Sequence, residues 1–164
     1  MRRLSCFLII LAISLLSGCT DPHTNIQNVT FYYVHNDIVF GTESGVIAST
    51  QIQVTGNNTD YQKLLEKYFR GPTNYDCTSP FPAGITLEEF NMDANKVQIL
   101  LSPHMSTLSG IQFTIACACL TRTVLEMTGS QSVQIRIQDN LIYGQESVTF
   151  NLSSFSYWDK TDQN

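Results

Sequence analysis

Between Ile111 and Met127 the chain carries apolar side chains around almost the whole circumference of a helix. Phe113, Cys117, Leu120, Val124 and Met127 fall on one stripe, and Ile111, Ile115 and Ala118 lie toward the opposite side. Only Gln112, Thr123 and Glu126 form a narrow polar strip. A helix with so little polar face has to be covered by other elements. It is not a membrane span, because Gln112, Thr114 and Arg122 interrupt it and roughly 20 apolar residues are needed to cross. Ser106 or Thr107 can cap its start, and Thr128-Gly129-Ser130 ends it.

The material to cover such a helix lies on both sides of it in sequence. Val29 to Phe40 is rich in β-formers, with Asn36-Asp37 as a turn signal and Ile38-Val39-Phe40 as a return strand. Val46, Ala48, Thr50, Ile52 and Val54 alternate as a further strand. Thr59 or Asp60 can cap an amphipathic helix carrying Tyr61, Leu64, Leu65 and Tyr68 on one face. Gly71-Pro72 stops it: glycine supplies the left-handed turn and proline cannot continue a helix. Asn74 to Pro82 reads as a loop. Thr86–Asn91 and Lys96–Ser102 then flank a polar turn as a hairpin. After the apolar helix, Val133, Ile135 and Ile137 alternate with polar residues as a half-buried strand, and Ile142–Leu152 offers the last one. The order is β-α-β-β-α-β. Its compact solution is an α+β fold with two helices packed on one face of a mostly antiparallel sheet.

The N-terminus sets the compartment. Arg2 and Arg3 precede an apolar run from Phe7 to Leu16 that has the size of a signal-peptide core. It ends in Leu16-Ser17-Gly18-Cys19, which resembles the bacterial lipobox: a leucine, two small residues, and a cysteine whose thiol takes a diacylglyceryl group. Residues 1–18 are read as a signal peptide, 19–28 as a lipid-attached tether, 29–155 as one domain and 156–164 as a polar tail. Cys19 is the expected lipidation site. Two acyl chains suffice for stable anchoring where one does not.

Composition narrows the function. The chain has 9 Lys and Arg against 14 Asp and Glu. Arg2 and Arg3 leave with the signal, so the mature part is more acidic still. That balance lacks the basic patch that nucleic-acid binding requires, and it gives anionic lipid no electrostatic hold. Attachment to the membrane therefore rests on the lipid. Of 5 cysteines, Cys6 lies in the signal and Cys19 is consumed. Cys77, Cys117 and Cys119 remain, an odd number. Buried free thiols are the expected state, with one disulfide from Cys77 to the helix as the alternative.

Candidate chemistry is sparse. His104 with Asp93 and Glu126 could be imagined as acid–base machinery, but His23, His35 and His104 lack ligand spacing and read as solvated. Ser44-Gly45 and Ser109-Gly110 lack the flanking pattern of a nucleophile elbow. Adjacent acids on a strand face opposite ways, so at least one of Glu88 and Glu89 is plain surface. Phe31, Tyr32 and Tyr33 read as core packing, with an interface or glycan surface as the alternative. No catalytic residue, metal or cofactor is expected.

Three stretches carry a family resemblance. They are Leu64-Leu65 with Arg70-Gly71-Pro72-Thr73; Pro82-Ala83-Gly84-Ile85-Thr86-Leu87 with Lys96 to Ser102; and Thr123 to Gly129 with Val133-Gln134-Ile135. In that order they resemble a GerMN domain. Thr128 stands where that pattern has proline, and Ile85 is inserted before Thr86. In this resemblance Gly71, Pro72, Gly84 and Gly129 are builders of the fold. GerMN domains are similar to the ring-building modules of secretion and sporulation machines. The resemblance therefore implies a module on the outer face of a Gram-positive cytoplasmic membrane. Its partners would be envelope or sporulation-complex proteins, and further copies of itself. A peptidoglycan- or other ligand-binding lipoprotein is the alternative, and an enzyme of envelope polymers a remote third.

Overall fold

The computed structural model describes residues 26–36, 45–55 and 60–155. The signal peptide, Cys19, most of the tether, the Ile38–Phe40 return strand and the 156–164 tail lie outside the described residues. Seven strands and two α-helices follow in the order β1 (Ile26–His35), β2 (Ile47–Thr55), α1 (Tyr61–Phe69), β3 (Cys77–Thr78), β4 (Leu87–Asp93), β5 (Lys96–Leu101), α2 (Gly110–Thr128), β6 (Ser132–Ile137) and β7 (Val148–Phe150). The fold is α+β with mostly antiparallel pairing. It differs from the single expected sheet in having two, ordered β2-β1-β3 and β4-β5-β6-β7.

The second sheet contains one parallel pair. β5 and β6 run in register from Lys96↔Ser132 to Leu101↔Ile137, with α2 as the crossover between them. Parallel neighbours need such a connection. The crossover begins with a 3-10 turn, Pro103–Thr107. α2 therefore starts later than the expected caps would place it, with Ser109 rather than Ser106 or Thr107 at the N-cap. It ends on Gly129 at φ 71°, where only a left-handed residue lets the chain turn back into β6.

Two sheets explain why α2 is apolar nearly all round. The helix packs against β1 on one flank and β6 on another, and one core cluster joins both sheets and both helices. Cys117 and Cys119, two apart and so on different faces, are both fully buried. Thr123, assigned to the polar strip by sequence, is fully buried as well.

Thr123 has a definite partner. β1 pairs with β2 along its whole length, but with β3 only at Val34 and His35. Its other edge is otherwise without a strand, and the two helices complete it. The Tyr32 N–H donates to Thr123 Oγ1 at 3.0 Å, and the Tyr68 hydroxyl donates to the Tyr32 carbonyl at 2.6 Å. Side chains from α1 and α2 thus stand in for missing ladder bonds, as buried backbone groups require. Phe31 and Tyr33 turn inward onto Tyr68, with ring centroids 5.1 and 5.0 Å away.

These contacts fix a direction. Tyr32 meets Thr123, whereas Ile47, opposite Val34, lies with Thr114, Ile115 and Ala118. Moving forward along β1 is moving backward along α2. Ile26 lies about 20 Å behind Tyr32 at strand rise, past the C-terminal end of α2. Ile111 lies roughly 18 Å the other way at helix rise. One end of the domain holds the start of β1, Gly129 and the β4–β5 turn, where Gln131 N–H donates to the Asn95 carbonyl at 2.8 Å. The opposite end holds β3, the end of β5 and the start of α2.

Candidate functional site

α1 begins on Asp60, whose side chain accepts from Lys63 N at 3.1 Å and pairs with Lys63 Nζ at 3.0 Å. The exposed pair holds the Asp60 carboxyl below its ordinary range, mainly through the Lys63 side-chain hydrogen bond. At the other end the helix stops at Gly71, whose φ of 93° belongs to glycine. Pro72 then leads into the loop that reaches β3, so the segment read as loop from Asn74 contains a two-residue strand. Phe81 is buried after it and packs edge-on against Phe69, with centroids 5.0 Å apart at 89°.

The chain turns again at Gly84, φ 82°. A Cβ built there would lie 3.4 Å from His104 Nε2. Ser102 then ties the start of β4 to the end of β5: its Oγ accepts from Thr86 N, and its N–H donates to the Thr86 carbonyl, both at 3.0 Å. His104 Nδ1 lies 3.5 Å from the same Oγ, at the limit of a hydrogen bond. His104 is thus a wall beside Gly84 and not an acid–base group facing carboxylates.

Between these turns lies a groove of about 790 Å³. Its lining includes Phe69 and Arg70 from the end of α1, Thr78 from β3, Phe81 from the loop, and Leu87 from β4. Two of the three stretches that carry the sequence resemblance meet here: the turn after α1 and the Pro82–Leu87 segment. Gly84 is part of its lining, and Gly71-Pro72 follow directly on Arg70. Arg70 is exposed and makes no salt bridge among the described residues. Sequence reasoning missed Arg70, Phe69, Phe81 and Leu87 as a set, because three separate segments bring them together.

The other candidates fall apart in space. Asp93 ends β4, His104 lies in the 3-10 turn and Glu126 near the end of α2. No group of three or more His, Cys, Asp or Glu among the described residues could hold a metal ion. Glu88 and Glu89 are both exposed, because a bulge between Leu87 and Glu89 breaks the expected alternation. Glu88 accepts from Thr86 Oγ1 at 2.5 Å. Tyr32 leaves the aromatic core and lies on the flank of α2. There the Arg122 guanidinium sits 4.5 Å over its ring, and its hydroxyl donates to the Glu126 carboxylate. Burial, then the Glu126 bond, raise the Tyr32 pKa above its usual value. Cys77, Cys117 and Cys119 are buried free thiols, so the disulfide alternative is not formed in this structure. Burial pushes the Cys117 and Cys119 thiols up to about 12.

At the same end of the domain, Leu141 and Tyr143 are exposed beside Phe113. Tyr143 has φ 51° and precedes Gly144 at 78°, in a tight turn closed by reciprocal bonds between Ile142 and Gln145. No described helix is long and apolar enough to cross a membrane.

This is an α+β module with a surface groove and without a constellation of reactive side chains among its described residues. The family model of sporulation and spore germination, Germane, matches residues 30–142, and the chain belongs to that family. No curated protein matches it. Among solved structures, the first GerMN domain of the sporulation protein GerM from Bacillus subtilis is similar at 12% identity and a TM-score of 0.55. That match covers 77% of this chain and 96% of the other. The tandem GerMN domains of the same protein match at 14% identity and a TM-score of 0.53, covering 81% of this chain and 47% of theirs. The chain thus spans about half the length of the tandem structure.

Proposed function

We propose that this chain is a lipid-anchored, non-catalytic interaction module of the cell envelope, serving sporulation or spore germination from the outer face of the cytoplasmic membrane. The observation that carries the reading is the family match over residues 30–142 behind the lipobox ending at Cys19. The lipid confines the domain to a thin layer and raises its effective concentration for membrane-borne partners. The tether joins the start of β1, at the end of the domain opposite the groove.

The test is a cross-linking pull-down of the tagged chain from vegetative and sporulating cells, with Cys19→Ala as control. Envelope proteins recovered only with Cys19 intact, and chiefly in sporulating cells, are the expected result. Recovery of cell-wall fragments alone would favour a second reading, a binding lipoprotein for peptidoglycan or another extracellular ligand. The groove itself keeps that second reading open.

A further inference from the structure

The groove beside Arg70 has features that select one kind of occupant. β3 and β4 are the outermost strands of the two sheets, and both contribute to its lining through Thr78 and Leu87. α1 covers β4 farther along, where Tyr61 packs on Phe90 at 5.9 Å, and this leaves the Leu87 end open. The seven-residue β4 offers a row of backbone donors and acceptors to an extended chain laid beside it, whereas the two-residue β3 already gives its Cys77 N–H to the Asn74 carbonyl. Phe69 and Phe81 supply an apolar floor. Arg70 is the one base in the lining and Glu66 the one acid. Arg70 has no salt bridge among the described residues, and its planar fork suits a carboxylate. Glu66, one turn back on α1, is exposed and makes no salt bridge with Arg70.

We propose that the groove takes an extended, acidic polypeptide segment of a membrane-borne partner, added as a strand at the edge of β4 with a carboxylate on Arg70. This rests on the interaction-module reading and names its surface and the chemistry of its partner. Main-chain bonds to the edge of β4 supply affinity, and the Arg70–carboxylate contact supplies selectivity.

The test uses the full lipidated chain in nanodiscs and two fluorescein-labelled pentapeptides, one of alternating valine and aspartate and one with lysine in place of aspartate. The expected result is saturable binding of the acidic probe below about 1 mM and at least tenfold weaker binding of the lysine probe. Arg70→Glu should reverse that preference with an unchanged circular dichroism spectrum, since Arg70 is exposed. N-methylation of the probe backbone should abolish binding, and free aspartate should not compete. Equal binding of both probes, no saturation of the acidic one, indifference to N-methylation, or displacement by a disaccharide–peptide wall fragment would each overturn the inference. Probe binding that fails while the Cys19-dependent pull-down persists sinks the groove assignment alone. A failed pull-down with intact, Arg70-dependent probe binding sinks the envelope reading instead.

Discussion

Thr123→Val replaces a hydroxyl by a methyl of nearly the same volume inside a fully buried site. It therefore opens no cavity. It does remove the acceptor of the Tyr32 N–H, and that amide has no strand neighbour on this edge to turn to. An unsatisfied buried donor costs about 1–3 kcal/mol. With a urea m-value of roughly 2 kcal/mol/M, the unfolding midpoint should fall by about 0.5–1.5 M at unchanged m. Thr123→Ser keeps the acceptor and should retain most of the stability. Tyr68→Phe removes the donor to the Tyr32 carbonyl and should cost about 1 kcal/mol. Thr123 and Tyr68 both hold the backbone of Tyr32, so the double variant should lose less than the sum of the two. A Thr123→Val midpoint within about 0.2 M of the parent would refute the argument, for it would mean that the open edge of β1 is satisfied without the helices.

Other outcomes follow from the same structure. Cys117 and Cys119, held neutral by burial up to about 12, should resist a thiol reagent at pH 8 until the domain unfolds; labelling at the rate of a free thiol would contradict their place in the core. Because their folded pKa values are raised, their contribution to stability is complete below about pH 9. It should shrink as pH rises from there toward 12, which unfolding midpoints across that range would read. Gly84→Ala places a Cβ 3.4 Å from His104 Nε2 at φ 82° and should cost about 1–2 kcal/mol for the left-handed backbone alone; a thermal midpoint equal to the parent's would show that the turn relaxes freely.

Much of the architecture can be read from periodicity. Alternation places β2, β5 and β6, and helical spacing with Asp60 before it and Gly71 after it frames α1. The second sheet cannot be read that way. Nothing local distinguishes a helix laid on one sheet from one held between two, except that a threonine on its supposed polar strip is buried. Thr123 looks solvent-facing in sequence because its partner, an amide of β1, lies 91 residues away. β3 escapes notice because two residues carry no period, and its pairing is fixed by Val34 and His35 instead. The groove is less legible still. Gly71, Pro72 and Gly84 announce turns, and turns are read as fold, yet these turns bring Arg70, Phe81 and Leu87 to one surface. Phe69 and Arg70 at the end of a helix, directly before Gly71-Pro72, were the available signal.

Which end of the domain meets a partner tests the proposed anchoring at Cys19 most directly. A photoreactive phenylalanine analogue at Thr78, on the groove end, and another at Asn95, on the tether end, would test it in intact sporulating cells. The account predicts Cys19-dependent cross-links to an envelope protein from position 78, and cross-links to lipid or none from position 95. Envelope-protein cross-links from position 95 alone, or the same pattern at position 78 after Cys19→Ala, would contradict it.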